Sequence, residues 1–197
     1  MGILLTVLKI LDQIDKIIFR FVNTTLANPL FDWIMPIITN QIYWIAPLVI
    51  LWFYLILFKG NRGKITGIII LLTLGFTDYS TVEILKPVFG RLRPYLQMTE
   101  GIRTLTHTGG HFSFVSAHAA NSFSFAVILT YFYPRFKKYY YSLAALVAFS
   151  RIYVGVHFPG DVIFGALYGY GVGWAILSLW VIIRMRELKK GKTWPRY

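Results

Sequence analysis

Five stretches of this chain are long and apolar enough to cross a lipid bilayer, and nothing else in the sequence constrains its folding as much. A transmembrane helix needs about 20 mostly apolar residues, roughly 17 to 25. Residues 41–58, 65–85, 116–133, 139–157 and 161–183 meet that requirement. The first and last are clean apart from Asp161, whereas the middle three carry polar residues toward one end. With 56% hydrophobic and 14% charged residues in 197, the chain is no ordinary soluble domain, which is nearer a quarter charged. It is also too apolar for a disordered basic protein. The prediction is an all-α integral membrane helical bundle, one domain over 1–197 whose transmembrane core is 41–183.

The ends read differently. In residues 3–22, Lys9, Asp12, Gln13, Lys16 and Arg20 recur at three- and four-residue steps and share one helical face, Asp15 being the exception. This predicts an amphipathic helix lying in the interface, with a sixth span packed against the bundle as the alternative. The same charges leave no apolar core for a cleavable signal peptide. Asn28-Pro29 and Met35-Pro36 within 23–40 predict a turn followed by a short re-entrant or surface helix.

Twenty Lys and Arg against eight Asp and Glu could suggest nucleic acid, but the basic residues cluster between apolar segments, as membrane proteins place them. Lys59, Arg62 and Lys64, then Arg135, Lys137 and Lys138, then Arg184, Arg186, Lys189, Lys190, Lys192 and Arg196 all fall on one side of a five-span model. By the positive-inside rule that side is the cytoplasm, and residues 184–197 form a basic cytoplasmic tail. The chain has no cysteine, so neither a disulfide nor a Cys-ligated metal is expected.

On the opposite side four helix ends deliver Lys86, Arg93, His118, Arg151, His157 and Asp161 to one membrane surface. Ionisable residues placed so are functional candidates. Lys86, Arg93 and Arg151 supply three cations, two of them planar forks suited to phosphate oxygens. If Ser116 caps the third span, the free N–H groups of Ala117 and His118 and the helix dipole also point at an anion. His157 and Asp161 lie four apart across Phe158-Pro159-Gly160, so a turn can fold the carboxylate onto the imidazole. One ring nitrogen would donate to Asp161 and the other would be a lone-pair nucleophile. His118, from another helix, could protonate a leaving alkoxide and later take a proton from water. The reading is a two-step phosphoryl transfer through phosphohistidine, with cations stabilising the equatorial oxygens. No metal or other cofactor is required, and no HExxH-type ligand set is present.

These residues resemble the type 2 phosphatidic acid phosphatases, also called the lipid phosphate phosphatase family, whose signature is K-x6-R-P, P-S-G-H and S-R-x5-H-x3-D. Here the chain reads Lys86-x6-Arg93-Pro94, Val115-Ser116-Ala117-His118 and Ser150-Arg151-x5-His157-x3-Asp161. The first and third elements match fully. The second has Val115 for Pro and Ala117 for Gly, Ala being the least disruptive replacement. Upstream, Phe21-Val22-Asn23, Asn28-Pro29, Phe31-Asp32 and Thr39 are similar to short bacterial members. The resemblance implies that His157 is the nucleophile, His118 the general acid and Asp161 its orienter, with Lys86, Arg93, Ser116 and Arg151 on the phosphate. The vanadium-dependent haloperoxidases share such a pocket, but the hydropathy here argues against that activity.

The expected function is therefore a lipid phosphatase in the cytoplasmic (inner) membrane, its active site facing the outside. It would act on undecaprenyl diphosphate, phosphatidylglycerol phosphate or the 1-phosphate of lipid A, with no protein partner implied. A lipid phosphotransferase would use the same intermediate. An anion or lipid transporter is a rival, but no inverted repeat is visible, and a silent lipid-binding protein would not need both histidines and Asp161. His107 and His111 read as solvated loop residues. Arg91 and Arg103 read either as head-group steering or as surface residues. Glu83 is placed to pair with Lys86, and Asp78 faces either a cavity or a helix. Gly165, Gly169 and Gly173 read as a close helix-packing face, and Trp33, Tyr43, Trp44 and the tyrosines at 131, 133 and 139–141 as interfacial belts.

Overall fold

A computed structural model describes residues 2–98, 100–106 and 110–191. The chain forms α1 (Gly2–Arg20), which continues as a π-helical turn (Phe21–Thr25), then α2 (Pro29–Thr39), α3 (Gln41–Phe58) and α4 (Gly60–Tyr79). A second π turn (Ser80–Leu85) carries α4 into α5 (Lys86–Phe89), and α6 (Pro94–Gln97), α7 (Ala117–Phe132), α8 (Lys137–Tyr153) and α9 (Pro159–Lys189) follow. No strand element occurs among the described residues; Leu92 and Phe112 form an isolated antiparallel bridge. In a bilayer every backbone polar group must be satisfied internally, and helices do this alone.

Three helices are long and apolar enough to cross a membrane by length and composition: α3, the continuous run Gly60–Phe89, and α9. At 16 and 17 residues, α7 and α8 are shorter; α7 is largely buried, whereas α8 keeps Tyr139, Leu143 and Leu146 exposed. Large apolar side chains such as Ile50, Leu57, Ile68, Leu72 and Leu167 are exposed around it, as a lipid-facing belt requires. One core cluster, Leu55, Ile69, Ile70, Val127, Ile128, Phe132 and Leu177, ties α3, α4, α7 and α9 together. A second, Met35, Tyr153, Val154 and Val156, seats α2 on the end of α8.

The glycine stripe is where α7 meets α9. A Cβ at Gly169 would overlap the carbonyl oxygen of Ala120, and one at Gly165 would lie 2.6 Å from that of Ser116. This close approach brings the first turns of both helices, and hence His118 and Asp161, to one place.

Several boundaries differ from the expected ones. The second helix begins at Gly60, not residue 65, so Arg62 and Lys64 lie on its first turns and only Lys59 separates it from α3. The fourth ends at Tyr153, before the expected 157, because the chain turns at Gly155. That residue has φ +87° and packs where any side chain would strike the carbonyl of Arg103. His157 is thus in a buried connection rather than on a helix. The fifth starts at Pro159, whose fixed φ suits a first helical position, and runs to Lys189, so the basic tail is helical through Arg184 and Arg186. The loop expected at 86–115 contains α5 and α6.

The N-terminal segment is helical and amphipathic as read, with Ile10, Leu11, Ile14 and Ile17 exposed on the apolar face. Asp12 pairs with Lys16 at 2.6 Å. Asp15, off the polar stripe, is the residue that docks the helix: its Oδ1 accepts from the backbone N–H of Gly160 at 2.7 Å. Phe19 is fully buried and meets Phe158 edge to face. The short helix after Asn28 forms as expected, Asn28 Oδ1 accepting from the N–H of Phe31 at 2.9 Å. The residues from Phe21 to Thr25, read as a turn from Asn23 onward, are π-helical instead.

Candidate active site

The site lies where the α4–α5 run ends, α7 and α9 begin, and α8 has just ended. Ser116 is the N-cap of α7, and its hydroxyl accepts from the N–H of Ala119 at 3.4 Å. Its own N–H donates to the carbonyl of Asp161 at 3.0 Å, which clamps the start of α7 to the first turn of α9. The N–H groups of Ala117 and His118 are left at the positive end of the helix dipole.

Arg93 and Arg151 are both 5% exposed. Arg93 donates from Nε to the carbonyl of Gly110 at 2.7 Å and from Nη1 to that of Val156 at 3.2 Å. The same Nη1 lies 3.4 Å from Nε2 of His157. Arg151 donates from Nη1 to the hydroxyl of Thr39, and its Nε is buried without a partner. Lys86 is half-buried, and its side chain makes no hydrogen bond or ion pair among the described residues. The three cations are near enough to one another and to His157 to interact electrostatically, and Lys86 and Arg151 also reach His118. Among the described residues, none of the three is in an ion pair with a carboxylate. Burial pulls the Arg93 guanidinium below its ordinary range. Leaving a buried charge uncompensated costs about 3–5 kcal/mol, and a bound anion would offset that cost.

His157, 1% exposed, turns Nε2 toward Arg93 and Nδ1 toward Asp161. The expected hydrogen bond to Asp161 is not formed: Nδ1 and Oδ2 are 3.6 Å apart and Nδ1 has no partner. The carboxylate is occupied elsewhere, Oδ2 accepting from the N–H of Phe158 at 2.8 Å and Oδ1 from Nη1 of Arg91 at 2.9 Å. A shift of about half an ångström closes the gap to bonding distance, as empty catalytic sites often require. His118 is partly exposed and lines a cavity.

Arg91, read as a surface or head-group residue, is a clamp. Besides Asp161 it holds Asp15 at 2.7 Å and Asp12 at 3.4 Å, and its guanidinium stacks on the Phe158 ring at 4.2 Å. Burial opposes its charge, but Asp161 and Asp15 outweigh that and raise it. Arg103 pairs with Asp32, which that hydrogen bond and one from Tyr153 hold below the usual carboxylate range. Asn23 bridges the backbone of Arg103 and the carbonyl of Tyr153. Glu83 is exposed and makes no pair with Lys86 among the described residues. Asp78 both lines the cavity and accepts from Nδ2 of Asn121 on α7 at 2.9 Å. His111 is exposed as read, contributing only its carbonyl, to the N–H of Arg93 at 3.1 Å. His107 lies outside the described residues.

The clamp makes a measurable expectation. Arg91→Ala, which touches neither pocket cation, should slow turnover about 10- to 100-fold, with the loss mainly in kcat. Asp15→Asn should do less, and the double variant should cost less than the two losses combined, since both act through one pair. Steady-state kinetics on the four proteins test it. Additive losses would mean that α1 and Arg91 act separately.

The family model described as the PAP2 superfamily matches residues 66–184. The chain belongs to the PAP2 superfamily. A lipid A 4'-phosphatase of Bacteroides thetaiotaomicron is 32% identical over 181 residues, covering 85% of this chain and 77% of that protein. The crystal structure of a transmembrane PAP2 type phosphatidylglycerolphosphate phosphatase from Bacillus subtilis superposes with a TM-score of 0.69 at 25% identity, covering 86% of this chain and 85% of that one. Aquifex aeolicus LpxE gives 0.65 at 29% identity, covering 82% and 93%. The chain is thus a multi-pass membrane protein of PAP2 type. Its PAP2 match holds all the candidate phosphate and proton-transfer residues, whereas Thr39, which bonds Arg151, Asp15, which bonds Arg91, and Asn23 and Asp32, which hold Arg103 and Tyr153, precede it. Of these, Asn23, Asp32 and Thr39 stood in the upstream pattern; Asp15 carried only the signal of breaking the polar stripe.

Proposed function

We propose that this chain, a PAP2-type phosphatase, removes phosphate from a membrane lipid by way of a phosphohistidine at His157. The observation that carries the reading is the contrast among the arginines. Arg91 and Arg103 are neutralised by carboxylates, whereas buried Arg93 and Arg151 spend their bonds on carbonyls and a hydroxyl. Beside that unspent charge stand Nε2 of His157 and the open N-terminus of α7. Nε2 attacks phosphorus while the alkoxide leaves with a proton from His118. Lys86, Arg93, Arg151 and the N–H groups of Ala117 and His118 hold the non-bridging oxygens. Water, deprotonated by His118, then attacks the phosphohistidine and releases inorganic phosphate. Asp161, held by Arg91 and Phe158, orients the imidazole.

The basic turns at Lys59–Lys64 and Arg135–Lys138 and the end of α9 lie at the helix ends opposite the site. This supports an active site on the outer face of the cytoplasmic membrane and a cytoplasmic C-terminus. Undecaprenyl diphosphate, phosphatidylglycerol phosphate and lipid A phosphates are the substrate candidates, and the Bacteroides relative moves lipid A phosphate to the front. The test is phosphate release from these three lipids by purified protein in detergent with EDTA. Release is expected to persist, because side-chain cations supply the charge, and to be fastest with lipid A. No release from any lipid, or transport of lipid across vesicles without hydrolysis, would replace this reading with the transporter.

A further inference from the structure

The cations account for the phosphate, but none of the three lines the space that opens beside His118. There a cavity of about 530 Å³ opens between α3, α4, α7 and α8, within the range of ligand pockets. Leu48, Leu74, Phe125 and Leu143 form its wall toward the cytoplasmic ends of those helices, and Gln41, Asp78, Asn121 and Ser122 share its upper end with His118. Asn121 follows His118 by three residues on α7, so the two lie on one face a turn apart. Its Nδ2 donates to Oδ1 of Asp78 at 2.9 Å, which orients the amide and leaves its Oδ1 as a free acceptor. That oxygen is buried without a partner. Asp78 is in no ion pair among the described residues, and a carboxylate set within a membrane-spanning helix and lining a cavity marks a functional site.

Each free oxygen of this pair can only accept. A cluster of acceptors beside the group that protonates the leaving oxygen suits an alcohol whose neighbouring carbons carry donors, and it repels a second phosphate. We propose that Asp78 and Asn121 select the leaving alcohol, accepting hydrogen bonds from hydroxyl or amide N–H groups that flank the phosphoester. The preferred substrate is then a phosphorylated sugar lipid whose acyl chains run along the Leu48–Phe125 wall, rather than a diphosphate or an ester with fully acylated neighbours. This rests on the phosphatase reading, since it takes the His118 face as the leaving-group side.

The experiment compares kcat/KM for a lipid A phosphate, phosphatidic acid and farnesyl diphosphate in the same detergent. Wild type should favour the sugar lipid. Asp78→Ala and Asn121→Leu should each cut the ratio of sugar lipid to phosphatidic acid about tenfold or more, because the substrate's donors lose their partners. Asp78→Asn, which keeps one acceptor and the side-chain volume, should recover part of that ratio. A ratio unchanged in all three variants, or parallel losses on every substrate in proteins that still elute as folded monodisperse species, overturns the selection while leaving the phosphatase reading intact. Wild-type protein that hydrolyses none of the lipids overturns both.

Discussion

Phosphate release by the His157→Ala protein is expected to fall about 10⁴-fold or more below wild type, with the fold unchanged. In the proposed mechanism His157 carries the covalent step, and its position suits that role. Its N–H is tied to the carbonyl of Arg151 at 3.3 Å, so the turn after α8 holds the ring between Arg93 and Asp161. Nε2 lies on the cation side, 3.4 Å from Nη1 of Arg93, where an anion between Arg93 and Arg151 would present its phosphorus. A mutant without the ring keeps the binding charges, so substrate affinity should change far less than kcat. The decisive readout is the intermediate. Wild type quenched during turnover of a radiolabelled lipid should carry label that is lost in acid and kept in base, as a phosphoramidate is, and the Ala variant should carry none. His111→Ala, altered at an exposed side chain, is the control and should label like wild type. Equal labelling of the His157→Ala protein would move the nucleophile elsewhere.

Much of this arrangement was legible because it is written in local spacing. The four-residue step from His157 to Asp161 and the four-residue glycine period state which groups share a turn or a face, and helix geometry does the rest. Ser116 before an apolar run reads as a cap from sequence alone. What escaped depends on chain segments that meet only in three dimensions. Arg91 and Asp15 are far apart in sequence, and neither has a local reason to seek the other. Their pairing beside Asp161 follows from α1 docking on the first turn of α9, where Asp15 also accepts from the N–H of Gly160, and no periodicity in residues 3–22 encodes that. The early end of α8 has the same origin. Residues 154–156 are apolar enough to continue a helix, but Gly155 must let the backbone of Arg103 approach, a constraint set by a loop 50 positions upstream. The competition for the Asp161 carboxylate likewise needed the Arg91 side chain in place before the long His157 contact could be understood.

His118→Ala should separate the two proton transfers assigned to that residue. On a lipid substrate the leaving alkoxide is strongly basic and cannot depart unprotonated, so the variant should lose about 10²- to 10⁴-fold, the usual worth of a positioned acid or base. On p-nitrophenyl phosphate the leaving phenolate needs no proton, and formation of the phosphohistidine should be slowed much less. Hydrolysis of that intermediate still needs a base for water, so the variant should release a rapid burst of nitrophenolate and then stall with phosphate on His157. Wild type, able to complete both steps, should show steady release. The structure supports this division of labour because His157 is sealed while His118 is partly exposed and lines the cavity, giving it access both to a leaving group and to water. Equal losses on the two substrates, with no burst, would mean that the ring of His118 serves only to shape the pocket beside Arg151 and Lys86, and another group would have to carry the proton.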